Sequence, residues 1–321
     1  MSVFSQQSVL ELSKELVTVR DLLRFAVSHF RQSDIFYGHG TDNDWDEALS
    51  LVLQALHLPM NVGEEFLDAR LLSSERIELL SLFQQRIDER VPTPYLIKQA
   101  WFCGIPFFVD ERVLIPRSPI GELIQKGFQP WYQGPSPETI LDLCCGSGCI
   151  GIACANAYPD ADVVLADLSS DALDVAEINV ERHQLGQWVT AVQSDLFTEI
   201  DQQFDLIVSN PPYVDEGDFT SMPDEFQHEP SMALTSGSLG LDHPLQILRE
   251  AADYLSEVGL LILEVGNSGQ HLEQLYPDVD FNWIEFEQGG HGVLAISREE
   301  LLYYHDHLIL EPDVSLLLPL E

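Results

Sequence analysis

The sequence predicts an α/β protein in which a small helical N-terminal domain precedes a doubly wound, mostly parallel seven-stranded sheet. Three observations carry that expectation. From about residue 120 onward, short apolar β-branched runs alternate with helical stretches, the pattern of parallel strands joined by crossover helices. The first of those runs, Thr139–Leu143, passes straight into a glycine-bearing turn, Cys144-Cys145-Gly146-Ser147-Gly148, that opens a helix. The last two runs are joined by Gln288-Gly289-Gly290-His291-Gly292. That link is too short for a helical crossover, so the two strands pair antiparallel and the final one is reversed.

Residues 1–92 read as helices. Apolar side chains recur at helical spacing in Leu16, Val19, Leu22, Leu23, Ala26, Val27 and Phe30, then in Trp45, Ala48, Leu49, Val52, Leu53 and Leu56, then in Leu79, Leu80, Phe83 and Ile87. Pro59 and the Gly38–Gly40 pair punctuate them. Pro92 and Pro94 mark a break. Residues 93–119 then read as a linker, with a β-hairpin in Ala100–Ile115 that turns at Cys103-Gly104 and closes at Pro116-Arg117-Ser118-Pro119. The second domain spans 120–310. Its strands are expected at Thr139–Leu143, Asp162–Ala166, Val189–Gln193, Phe204–Val208, Gly259–Glu264, Trp283–Glu287 and Val293–Ser297, and its main helices at Cys149–Tyr158, Ser169–Gln184 and His243–Leu255. Residues 311–321 read as a short apolar tail.

The chain has 321 residues, 45% of them hydrophobic, which supports a sizeable core. Its formal net charge is −38. Such a surface repels phosphates, so stable binding to free nucleic acid is not expected. It attracts basic proteins and speeds encounter with them; solubility, or salt in the habitat, explains the same acidity. Four of the five cysteines crowd into residues 144–154. The odd count argues against a disulfide framework, and no second Cys or His pair sits at zinc-finger spacing, so no metal is expected. No charged-then-apolar leader opens the chain and no run of about 18 apolar residues occurs, so a soluble, cytoplasmic protein without a membrane partner is expected.

The turn after the first strand selects a ligand class. Its glycines, Gly146 and Gly148, let backbone approach a ligand closely. Asp142 precedes the turn, where it repels a pyrophosphate and tolerates a cationic amino-acid group. That favours S-adenosylmethionine over a dinucleotide; a plain helix-cap role for Asp142 remains the other reading. Asp167, about twenty residues further on, is placed to accept hydrogen bonds from ribose hydroxyls. Asp195 can accept from an adenine amino group, with Leu196 or Phe197 against the ring, or it can serve simply as a turn residue.

The fourth strand runs into Ser209-Asn210-Pro211-Pro212-Tyr213. Ligands of open α/β sheets bind at the carboxyl ends of strands, so this corner should face the cofactor. The two prolines stiffen it without contributing an N–H. The Asn210 side-chain oxygen and the Pro211 carbonyl can then grip one planar –NH2 group, and Tyr213 can lie flat against it. An amide nitrogen is a poor nucleophile because its lone pair is delocalised. Two acceptors on its N–H groups push electron density onto nitrogen and aim it for in-line attack.

Asn210-Pro211-Pro212-Tyr213 resembles the signature of methyltransferases acting on exocyclic amines of bases and on glutamine amides. Over nearly its whole length the chain resembles the glutamine N(5)-methyltransferase family, through Pro94-Tyr95-Leu96, Val113-Leu114-Ile115-Pro116-Arg117, His228-Glu229-Pro230 and Gly237-x-x-Gly240-Leu241. Arg117-Ser118-Pro119-Ile120-Gly121-Glu122, Trp101-Phe102-Cys103-Gly104 and Val109-Asp110-Glu111-Arg112 look like the branch that methylates the third large-subunit ribosomal protein, a basic substrate. The alternatives are the branch acting on peptide release factors and, further off, N(6)-adenine or N(2)-guanine methyltransferases of nucleic acids. The resemblance implies a Rossmann-like class I methyltransferase fold. It implies that Asn210, Pro211, Pro212 and Tyr213 orient the acceptor and that Asp142, Cys144, Gly146, Ser147, Gly148, Asp167, Asp195 and Leu196 hold S-adenosylmethionine. Cys144 departs from the general motif, where many relatives carry the first glycine. Arg117 is placed near the cofactor or the substrate backbone, or in a salt bridge. Glu229 either braces the acceptor loop or merely sits in it. The helical domain either recognises the substrate protein or supports the fold.

Overall fold

The computed structural model describes Phe4 and residues 8–310; the tail expected at 311–321 lies outside them. The chain divides into two compact units. One takes the chain up to Ala100 together with Pro223–His228; the other takes Trp101–Met222 and the chain from Glu229 on.

The first unit is helical: α1 (Val9–Glu15), α2 (Val19–Gln32), α3 (Asp44–Ala55), α4 (Ser73–Asp88) and α5 (Thr93–Ile97), with single 3-10 turns at Glu64–Asp68 and Asp224–His228. Capping boxes start the first two helices: Ser8 with Glu11, and Thr18 with Asp21, each satisfy N–H groups that the first turn leaves open. The expected helical stripes meet in one core around Leu22, Phe30, Leu51 and Phe83, all with essentially no exposed surface. Trp45 departs from the expectation. It is 49% exposed, while Glu47, two residues on, is buried. The cause is Arg86, a fully buried cation on α4. Its guanidinium donates to Glu47 at 2.6 Å, to Glu225 at 3.0 Å and to the Phe36 carbonyl at 2.6 Å. Thr41 and Thr93 also donate to Glu47. A buried guanidinium needs hydrogen-bond partners, so the Glu47 carboxylate takes an interior position on α3.

At the passage into the second unit a hairpin forms that is shorter than the expected Ala100–Ile115, with no strand between Phe107 and Ile115. β1 (Ala100–Phe102) and β2 (Ile105–Phe107) turn at Cys103 and Gly104, both at positive φ. The remaining elements are α6 (Ile120–Gln125), β3 (Thr139–Leu143), α7 (Cys149–Ala157), β4 (Asp162–Asp167), α8 (Ser170–Arg182), β5 (Val189–Gln193), β6 (Phe204–Ser209), α9 (Glu216–Ser221), α10 (Asp242–Tyr254), β7 (Leu255–Glu264), α11 (Gly269–Leu275), β8 (Asn282–Trp283), β9 (Val293–Ser297), α12 (Arg298–Tyr303) and α13 (His305–Leu308). The strands form one seven-stranded sheet in the order β5-β4-β3-β6-β7-β9-β8. β9 runs antiparallel to both neighbours, and the pairs from β5 through β7 are parallel.

Successive strand residues point to opposite faces, and here both faces are buried. Ile140, Leu206 and Ile262 enter one core with helices α6 and α7. Leu141, Ile207 and Leu261 enter the other, with α10 and α12. This is why the strands read as continuous apolar runs. β8 is the one short strand: it ends at Trp283 rather than at Glu287. Beyond it the Glu287 and Gln288 N–H groups turn to the Glu122 carboxylate, each at 3.1 Å, so the edge peels away from β9. Among the described residues no helix is long and apolar enough to cross a membrane.

Replacing Arg86 with alanine takes the guanidinium away from two buried carboxylates. The expected result is a loss of about 3–5 kcal/mol of stability, read from the urea midpoint. A loss below about 1 kcal/mol would mean that the buried cluster is no fastener.

Candidate active site

β4, β3 and β6 lie side by side and parallel, so their carboxyl ends open along one edge of the sheet. A cavity of about 350 Å³ lies there. Its floor is the turn after β3. Cys144, Gly146 and Gly148 all take positive φ, at 62°, 53° and 74°. This left-handed path swings the backbone N–H groups toward neighbouring acceptors. Gly146 donates to Asp167 Oδ2 at 2.8 Å, Cys145 to the Ala166 carbonyl at 3.0 Å, and Gly148 to the Cys145 carbonyl at 2.8 Å. A Cβ on Gly146 would meet nothing within 4 Å, so the turn faces open space there. At Gly148 the same atom would press on Leu165 and Ala176. Gly148 therefore serves close packing of α7 rather than the cavity wall.

Asp167 ends β4 on the wall of the cavity. Its other oxygen accepts from Ser169 N at 2.9 Å. Burial raises its carboxyl above the usual range, and the backbone donors hold it partly down. Asp195 and Leu196 form the next part of the wall. Phe197 turns the other way, stacked on Tyr254 with centroids 4.5 Å apart. Leu196 alone of that pair lines the cavity.

After β6, Ser209 Oγ donates to the Leu143 carbonyl at 2.7 Å and ties the ends of β6 and β3 together. Asn210 and Pro212 then line the cavity. The half-buried Asn210 side-chain amide makes no hydrogen bond to any described residue. The segment beyond is fixed: Tyr213 N and Val214 N both donate to the Leu234 carbonyl, at 3.1 and 2.8 Å.

The sequence family described as "Methyltransferase small domain" matches residues 132–241, which hold this whole corner. Over 306 residues the chain is 46% identical to the ribosomal protein uL3 glutamine methyltransferase of Francisella tularensis subsp. tularensis, covering 95% of this chain and 98% of that one. It is 48% identical over 289 residues to the enzyme of the same name from Xanthomonas campestris pv. campestris, covering 90% and 94%. The chain belongs to the uL3 glutamine methyltransferase family. The resemblance read from its motifs points to the same branch. Among solved structures, a methyltransferase from Pyrococcus furiosus is similar at a TM-score of 0.44 and 17% identity, over 71% of this chain and 99% of that one; the assignment does not rest on it.

Within this methyltransferase several expected site residues stand off the main cavity. Asp142 is fully buried behind the turn. One oxygen accepts from Gly151 N at the start of α7, at 2.7 Å, and the other has no hydrogen-bond partner among the described residues. Pro211 is buried under the corner. Tyr213 borders a second cavity of about 260 Å³, with its hydroxyl on Glu264 at 2.8 Å. Arg117 does line the main cavity, and it forks onto Glu229 at 2.6 and 2.8 Å. Glu229 also accepts from Ile115 N at 2.9 Å. The salt-bridge reading of Arg117 and the bracing role of Glu229 are thus one interaction.

Three residues escaped the sequence reading. Leu168 follows Asp167 into the cavity and is 50% exposed, a signal visible only once its strand end is placed. Asn179 is fully buried on α8. It holds Phe108 through both backbone groups and donates to the Ser147 carbonyl at 2.9 Å. Its signal was a polar residue on the apolar stripe of Ala176 and Val180. Glu264 read only as the end of a strand.

Burial pushes the Asp142 carboxyl up from 3.8 to about 7, against the Gly151 N–H, which lowers it; the Asp167 charge adds to the rise. Between those values the folded chain keeps a proton that the unfolded chain has released. The stability this group contributes is therefore full below pH 4 and falls as pH rises toward 7. Asp142→Asn should gain on the parent protein across that window, by about 1–4 kcal/mol, and level off above it. Urea denaturation at pH 5, 6, 7 and 8 reads this; a pH-independent difference would place the titration elsewhere.

Proposed function

We propose that this enzyme transfers a methyl group from S-adenosylmethionine to the side-chain amide nitrogen of a glutamine in ribosomal protein uL3, the substrate named for both relatives. One observation carries the reading. On the wall of the main cavity, which Asp167 and Asp195 also line, the Asn210 amide is half-buried and makes no hydrogen bond with the described residues. A polar side chain held on such a wall without a partner is a binding group for a ligand.

The residues fit the cofactor. The cavity volume is within the range of small-molecule sites. Gly146 leaves open space for close approach. Beside its backbone donors Asp167 can also take ribose hydroxyls, while Leu168 and Leu196 offer apolar walls to a purine. When bound, S-adenosylmethionine supplies an electrophilic methyl group. Asn210 accepts one N–H of the glutamine carboxamide through its side-chain oxygen. The Pro211 carbonyl, which no backbone N–H of the described residues occupies, is the proposed second acceptor, although the residue itself is buried and not among those lining the cavity. These two acceptors hold the nitrogen in line and stabilise positive charge as it develops. Burial keeps the Cys144 thiol protonated, so it stays a neutral wall. The net charge of −38 favours a basic ribosomal protein over a free nucleic acid and steers the encounter. The helical unit supplies recognition area beyond the cavity.

Incubation with labelled S-adenosylmethionine and, separately, purified uL3, a release factor and ribosomal RNA tests the assignment. Label is expected in uL3 glutamine alone, and label only in the release factor or in RNA overturns it. Asn210→Ala should cut kcat by about a hundredfold or more while cofactor affinity stays near that of the parent enzyme. Calorimetry showing the opposite split would remove Asn210 from the acceptor site. Asp167→Ala should weaken cofactor binding about tenfold or more, since a charge-assisted hydrogen bond is lost; unchanged affinity would take Asp167 out of the ribose site.

A further inference from the structure

The Asn-Pro-Pro-Tyr corner needs its last residue held as firmly as its first, and the structure holds Tyr213 from four sides. Its N–H donates to Leu234, and its carbonyl accepts from Ser268 Oγ at 2.8 Å. Its ring lies so near Gly266 that a Cβ there would collide with it. Its hydroxyl donates to Glu264 Oε1 at 2.8 Å. The other oxygen of the same carboxylate accepts from Ser118 Oγ at 2.5 Å. Ser118 is fixed in turn, because its hydroxyl also accepts from Ile120 N at 3.1 Å as α6 begins.

We infer that Glu264 is a positioning residue for methyl transfer: its buried carboxylate bridges Tyr213 and Ser118 and so sets the gap between the acceptor corner and the wall that carries Arg117 and Ser118. Ser118 lines the main cavity and Tyr213 the smaller one. Glu264 touches both cavities' walls through these two hydroxyls. The neighbouring fork of Arg117 on Glu229 clamps the same wall from its other side. Two consecutive residues, Arg117 and Ser118, are thereby each tied to a buried carboxylate. An ionised carboxylate only accepts, so it fixes both hydroxyl hydrogens at once; a carboxamide presents one acceptor and one donor and cannot.

This inference rests on the proposed acceptor role of the corner. Its test has one readout that needs no substrate. In the enzyme without ligand, Glu264→Gln and Tyr213→Phe should each speed amide hydrogen exchange at Tyr213 and Val214, with the melting temperature nearly unchanged. With purified uL3 and S-adenosylmethionine, each should lower kcat about tenfold and leave the cofactor KM in place, and the double variant should be no slower than either single one. Tyr213→Phe leaves the carboxylate intact and serves if Glu264→Gln does not fold. Unchanged exchange, an unchanged kcat in either folded variant, or additive losses in the double variant overturn the positioning role. Faster exchange in an enzyme whose parent form leaves uL3 unlabelled would sink the substrate assignment and leave the bridge standing.

Discussion

Everything at the site follows from one constraint: parallel strands that are dry on both faces can present polar groups only at their ends. β3, β4 and β6 along nearly their full length, and β7 from Leu260 to Leu263, alternate their side chains between two apolar cores. Each then finishes, at or beside its carboxyl end, on a polar residue: Asp142, Asp167, Asn210 and Glu264. The sheet thus collects at one edge groups that lie far apart in the chain. Crossover helices dispose of the intervening sequence on the faces.

The acidic groups at that edge divide by what answers their charge. Asp167 is held by backbone N–H groups, Glu229 by a guanidinium and an N–H, and Glu264 by two hydroxyls. Asp142 has one donor and full burial, and its carboxyl sits high as a result. In the helical unit Glu47 and Glu225 share Arg86. The anions that build the molecule are those with assigned donors. The exposed carboxylates act at long range on whatever approaches.

The sheet was legible because its signals are local. Apolar runs, glycine turns and a link too short for a helix each depend on a few adjacent residues. The reversed strand β9 and the hairpin at Cys103-Gly104 follow directly from such signals. The edge strand β8 was not, because its early end depends on Glu122, more than 150 residues away. The site shows the same division. Asn210, Asp167 and Leu196 sit where strand ends place them. The sequence offers Tyr213 as a flat face for the acceptor, and the structure sets its position through Glu264, Ser268 and Gly266, none of which a local window connects to it. Arg86 and Asn179 stand out in the sequence only as polar residues on apolar stripes, and what each one holds emerges only with its distant partners.

The short excursion of residues 223–228 into the helical unit makes the two units topologically inseparable. The chain passes from one to the other at Ala100, at Met222 and again at His228, so no single cleavage yields two self-contained pieces. A truncation after Ala100 would leave Arg86 without its Glu225 anion and would leave the excised six residues with no fold to rejoin. Gene fusion or domain shuffling could therefore carry the pair only as a block, and exchange of the helical unit between relatives would have to transplant this distant hexapeptide along with it.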